Sequence, residues 1–305
     1  SLVNGTEGML AVGVPARLRL ATLVRTADVD AAMTIEGAFG SDRPFDERLH
    51  ALRPHPGQVA SAANLRALLA GSPILASHHD SPHLLQDAYS LRCAPQVHGA
   101  TRDALSYARR VLEIEVDAVA DNPVVFPDDG DVVSGGNFHG QPVATALDAL
   151  AIATVPMASI SERRLYRLLD PATGNGLPPF LVRDAGLNSG FMLVQYTAAS
   201  LVSECKVLAH PASVDSIPSS AGQEDHVSMG MTAARTFRDV VVNAEMVLAL
   251  EALSAAQAID LRAPVSAGAA TGAARDAIRS RVEFLDVDRE LGPDIAAAIE
   301  MVRSG

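Results

Sequence analysis

Gln86, Tyr89 and Arg92 are spaced three apart in the stretch Gln86-Asp87-Ala88-Tyr89-Ser90-Leu91-Arg92-Cys93-Ala94-Pro95-Gln96-Val97-His98-Gly99. On a helical turn that spacing predicts one shared face carrying an amide, a phenol and a guanidinium. A guanidinium binds a carboxylate through two parallel hydrogen bonds. A cation beside a phenol favours the phenolate, which suits proton transfer. Such a face fits a small substrate that carries a carboxylate. The same residues also suit a structural Arg–Tyr–Gln network that pins a helix end, and spacing alone leaves both readings open.

A second focus is Ser219-Ser220-Ala221-Gly222-Gln223-Glu224-Asp225-His226. The residues from 224 to 262 contain no proline and one glycine, Gly230, so a helix is expected there. Glu224 and Asp225 would then suit the positive end of its dipole, with Ser219 or Ser220 as cap. Glu224 could instead face a substrate and hold or deprotonate a ring nitrogen; a phenyl ring would leave it unpaired in a dry pocket. A third focus is the glycine-rich loop Ser134-Gly135-Gly136-Asn137-Phe138-His139-Gly140. It matches neither phosphate-binding pattern, GxxxxGK[ST] or GxGxxG, so backbone close to some other ligand is the better reading. His79 and His83, with Asp80, have a metal-ligand spacing, but Ser81-Pro82 interrupts any helix, and a solvated loop is expected.

Apolar periodicity and breakers predict helices over 16–39, 57–70, 101–120, 141–169, 190–209 and 224–262. Shorter ones are expected near 273–282 and 294–302, and a small hairpin within 124–134. Pro156 is expected to kink the long apolar helix, and the charged run Ser161-Glu162-Arg163-Arg164 to form a solvated or subunit-facing turn. The fold class is therefore mainly α, a bundle of long helices in one domain over 1–305. Within it, 1–140 carries the loops and helices of the candidate site, 141–262 the long core helices and 263–305 a helical tail.

The composition agrees. Of the 305 residues 48% are hydrophobic and only 4% aromatic, with no tryptophan, so the core must come from alanine, leucine and valine. A net charge of −12 argues against a nucleic-acid or anionic-membrane partner. Two cysteines, both in apolar surroundings, fit a reduced cytoplasmic protein. No uninterrupted apolar run of membrane length is apparent.

Five segments in order resemble the aromatic amino acid ammonia-lyase family: Leu2-Val3-Asn4-Gly5-Thr6, the stretch 86–99, Asp121-Asn122-Pro123, the loop 134–140 and Gln223-Glu224-Asp225-His226-Val227-Ser228-Met229-Gly230. The likeness covers nearly the whole chain, as roughly the C-terminal three-fifths of a member. It implies a fumarase-like helical bundle, a homotetramer with active sites shared between subunits, and a methylidene-imidazolone electrophile made by cyclising Ala-Ser-Gly. That tripeptide is absent from these residues, so the chain alone is expected to be inactive without an N-terminal portion; no metal is expected. The resemblance assigns Tyr89 and Glu224 to catalysis and Asn4, Gln86, Arg92 and Phe138 to substrate binding. Glu224 points to the histidine-specific branch, with L-histidine as substrate and trans-urocanate as product. A tyrosine or phenylalanine ammonia-lyase or aminomutase is the sibling alternative, and a non-catalytic helical assembly subunit the alternative of another class.

Overall fold

The computed structural model describes residues 5–81 and 86–305. It is mainly α. The helices are α1 (Glu7–Gly37), α2 (Glu47–Ala51), α3 (Pro56–Leu69), α4 (Pro73–Ser77), α5 (Tyr89–Arg92), α6 (Ala94–Val116), α7 (Gln141–Leu169), α8 (Met192–Leu208), α9 (Gly230–Asp260), α10 (Ala269–Arg279) and α11 (Gly292–Ser304). One antiparallel hairpin, β1 (Val124–Phe126) and β2 (Asp131–Val133), pairs Val124 with Val133 and Phe126 with Asp131. The residues group into two compact units. The first is Ser1–Leu20, Ala104–Val155 and Cys205–Val242; the second is Ala21–Asp103, Pro156–Glu204 and Asn243–Gly305.

Most helix limits follow from local chemistry. Pro56 and Pro73 open α3 and α4 from the first turn, where the missing N–H costs nothing. Ser72 caps α4 by accepting the Leu75 N–H at 3.1 Å. α6 begins seven residues before the sequence suggests, because Pro95 falls in its first turn. Its buried side, including His98, Leu105, Ala108 and Leu112, keeps helical spacing. α7 matches its expected span and runs through Pro156 without a break. By length and composition α7 could cross a bilayer, but most of it is packed inside the protein.

α1 also begins nine residues before the expected start at 16, and two further expectations fail. α9 starts at Gly230, so Glu224 and Asp225 precede the helix rather than open it. Their backbone is engaged elsewhere. The Ser219 N–H donates to Glu224 O at 2.8 Å, and the Val227 N–H donates to Ser216 Oγ at 2.8 Å. Ser220, Ala221 and Gly222 all have positive φ (50, 55 and 88°), which closes the turn. Nor are residues 161–164 a solvated turn. They lie within α7, and Ser161, Glu162 and Arg164 are buried.

In the first unit the core gathers Leu20, Leu105, Val143, Leu147, Phe237 and Val241. In the second, Leu23, Met33, Phe45, Leu65, Leu165 and Leu250 are buried, and charge is buried with them. Arg164 on α7 grips Glu251 on α9 with two bonds, Nε to Oε1 at 2.5 Å and Nη2 to Oε2 at 2.7 Å. Such a bidentate pair compensates charges that would otherwise be costly in a dry core. Arg262 donates to the carbonyls of Gly37, Gly174 and Asn175 at 2.8–2.9 Å and lies 3.7 Å over the Phe39 ring. It thereby satisfies a carbonyl at the end of α1; burial brings its pKa down to about 10. α3 and α6 touch backbone to backbone at Gly57 and Gly99, where a Cβ on either would overlap the other helix.

Candidate active site

A cleft of about 800 Å³ in the second unit is lined in part by the fourteen-residue stretch. Its walls include Gln86, Asp87, Arg92, Cys93 and Gln96 of that stretch, together with Arg43 and His78, but not Tyr89. Gln86 lies outside α5, so the three-residue spacing becomes a helical face only for Tyr89 and Arg92. That pair behaves as its spacing predicts: the Arg92 guanidinium sits 4.7 Å from the Tyr89 ring centroid. Tyr89 itself is 71% exposed.

The turn is held at both ends. Before it, Asp87 Oδ2 accepts the Ser41 N–H at 2.8 Å. After it, the Cys93 N–H returns to Tyr89 O at 2.9 Å. Arg92 Nε and Gln96 Oε1 are buried and find no hydrogen-bond partner among the described residues. Buried polar atoms are nearly always paired, so a donor and an acceptor left over in one cleft mark a place for a polar ligand group. Gln96 was not among the residues singled out from sequence; its position in the same motif, four after Arg92, was the available signal. Burial pushes the Cys93 thiol up, which keeps it protonated and a poor nucleophile.

The other expected residues belong to the first unit. Phe138 is on the glycine-rich loop, and Glu224 on the segment before α9. The two segments are joined: His139 Nε2 lies 3.1 Å from the His226 carbonyl, and the two rings stack 5.8 Å apart at 5°. Neither histidine is among the catalytic or substrate-binding residues expected from sequence, although His226, with Glu224, counts there against the tyrosine and phenylalanine siblings. Hydrogen bonds from Ser219 and Ser220 hold the Glu224 carboxyl below its ordinary pKa, so it stands ionised and exposed. Asn4 and His83 lie outside the described residues. His79 Nδ1 meets the exposed Asp80 at 2.9 Å, and no group of three metal-ligating side chains occurs among the described residues.

These long helices, with the Arg92 guanidinium against the Tyr89 ring and an exposed Glu224 carboxylate in a second motif, have counterparts among known proteins. The chain belongs to the aromatic amino acid lyase family, whose profile matches residues 1–280. It is 58% identical over 306 residues to a histidine ammonia-lyase from Anaeromyxobacter sp. (strain K), covering all of this chain and 60% of that protein. Among solved structures it resembles a histidine ammonia-lyase from Trypanosoma cruzi, with 44% identity and a TM-score of 0.92 over the whole chain and 57% of the other. A tyrosine aminomutase from Streptomyces globisporus superposes with a TM-score of 0.93 at 39% identity, over 99% of this chain and 61% of that one. The chain thus spans about 60% of the length of the curated relatives it matches.

Proposed function

We propose that this chain is the C-terminal part of a cytoplasmic histidine ammonia-lyase, which eliminates ammonia from L-histidine to give trans-urocanate. The observation that carries the choice of substrate is Glu224, an exposed carboxylate held ionised by the Ser219 and Ser220 hydroxyls. A carboxylate accepts an imidazole N–H but has nothing to bond on a phenyl ring. Arg92 binds the substrate carboxylate, and Tyr89 moves a proton near the amine. Phe138 packs on the ring. Gln86 and Asn4 position the amine or the prosthetic group.

The family's methylidene-imidazolone electrophile arises from Ala-Ser-Gly, which these residues lack, so it must come from another stretch of the whole protein. When present it turns the amine into a better leaving group. The residues here fit such a neighbour, since Arg92 Nε and Gln96 Oε1 offer an unused donor and acceptor in one cleft. Assembly into a homotetramer is supported by exposed apolar side chains on α8, among them Leu193, Tyr196 and Val207.

The test is to supply the N-terminal portion of a relative and assay L-histidine, L-tyrosine and L-phenylalanine in turn, reading urocanate absorbance with the first and loss of substrate with the other two. Histidine is expected to be the substrate turned over. Arg92→Ala should lower kcat/KM on the order of 100-fold, mainly through KM, as befits a lost charged hydrogen bond. Turnover of tyrosine or phenylalanine in place of histidine would replace this reading with a tyrosine or phenylalanine ammonia-lyase or aminomutase, and no turnover of any of the three with that of a non-catalytic subunit.

A further inference from the structure

His98 lies in the same stretch as Arg92, yet the site described above gives it nothing to do. It is fully buried. Its Nδ1 is 2.8 Å from Asp28 Oδ1 on α1, and its Nε2 is 3.4 Å from Arg164 Nη1 on α7. A guanidinium only donates, so Nε2 must present its lone pair there. Nδ1 then carries the single proton and gives it to Asp28. A second proton on the ring would place a cation against Arg164 in a dry core.

The neighbours close the circuit. Asp28 Oδ2 accepts from Arg102 Nη2 at 2.6 Å and from Asn64 Nδ2 at 2.8 Å. Glu251, already bound twice by Arg164, also accepts from Thr34 Oγ1 at 2.8 Å. His98 is thus the link between two ion pairs, the partly buried Asp28–Arg102 pair that reaches α1 and the fully buried Arg164–Glu251 pair of α7 and α9. Burial, opposed by the Asp28 bond and aided by Arg164, holds the ring's pKa below that of an ordinary imidazole.

This anchor sits close to the candidate site along the chain. Only Cys93 separates α5 from α6, and the Val97 N–H returns to Cys93 O at 3.2 Å. The Tyr89–Arg92 turn therefore moves with the first turns of α6. We propose that His98 is a positioning residue for Arg92: as a neutral imidazole protonated on Nδ1, it ties α6 to Asp28 and Arg164 and so fixes where the Arg92 guanidinium stands. The kinetic consequence rests on the lyase reading; the tautomer does not.

Two measurements decide it. The first records long-range ¹H–¹⁵N correlations on the histidine-labelled chain, with a His98→Asn sample to assign the ring. One proton, on Nδ1, is expected between about pH 5 and 8. A ring protonated on Nε2, or one that gains its second proton within that range, overturns the proposal. The second compares His98→Asn, whose amide N–H can reach Asp28, with His98→Leu in the complemented protein. Leucine should raise KM on the order of 10- to 100-fold with kcat little changed, because misplacing a binding group by about 1 Å has an effect of that size. Asparagine should restore most of the loss. Equal losses in both variants, or a fall in kcat alone, reject the positioning role. If the unsubstituted complemented protein is inactive, the lyase reading fails and the correlations alone judge His98.

Discussion

Replacing Arg164 with methionine is expected to destabilise the fold more than replacing Glu251 with glutamine, although the two side chains form one pair. Both are fully buried. Removing one member of such a pair costs about 3–5 kcal/mol, because the other charge is left uncompensated. The difference lies in Asp30. It is fully buried near the pair, and burial together with the Glu251 charge raises its carboxyl well above the ordinary range. In Arg164→Met, Glu251 keeps the Thr34 hydroxyl but no countercharge, and Asp30, without Arg164 to favour its ionised form, is held still more firmly protonated beside it, so the penalty falls near the upper limit, about 5 kcal/mol. His98 loses its Nε2 partner in the same variant. In Glu251→Gln, Arg164 stays charged, but Asp30 is freed of repulsion and can ionise in its support. That brings the penalty near about 3 kcal/mol.

With an unfolding entropy of about 2.1 cal/mol/K per residue, these penalties lower Tm by about 8 °C and about 5 °C respectively. Calorimetry of the two variants at pH 7 reads the order directly. The double variant Arg164→Met, Asp30→Asn should recover part of the loss. A larger drop for Glu251→Gln than for Arg164→Met, or no recovery in the double variant, would refute the reasoning.

Asp30→Asn by itself should flatten part of the pH profile of Tm. The folded state holds the Asp30 proton where the unfolded chain has released it, so this group's contribution falls as pH rises from about 3.9 towards the raised folded value. Above that window the variant should melt higher than the parent; parallel profiles would remove Asp30 from the account. Gly99→Ala places a Cβ against the Gln58 backbone on α3. Overpacking of that kind costs about 1–3 kcal/mol, or roughly 2–5 °C of Tm, and an unchanged melting curve would mean the helices part without cost.

The long helices were legible where periodicity and breakers agreed. α7 is the clearest, since its apolar run keeps helical spacing on both sides of Pro156 and the helix continues through that proline. The start of α9 was not legible. Two acids before an alanine-rich run look like a dipole-matched first turn, but Ser219 and Ser216 take up the backbone groups that the turn would need. Arg164 was misread for a related reason. Charges come in a cluster, Glu162-Arg163-Arg164, yet each residue turns a helix by about 100°, so neighbours face different surroundings. Arg163 stays half out in solvent while Arg164 is sealed against Glu251. Glu251, an acid amid alanine and leucine, was the clue that a buried countercharge had to exist. At the site, Tyr89 and Arg92 came from simple spacing. Gln96, His139 and His226 needed the fold, because their partners are atoms that no motif displays: a carbonyl, a facing ring, an empty bond.

One bond binds distant ends of the sequence. Glu36, fully buried near the end of α1, accepts the Gly268 N–H at 2.9 Å from 232 residues away, just where α10 begins. The donor is a main-chain group, so among substitutions at 268 only proline would withdraw it while the tail stays seated. Peeling the tail away would instead strand an acid in an oily hollow, a fault felt at once in α1. The last helices thus act as a stopper for the protein's interior rather than as an appendix to it.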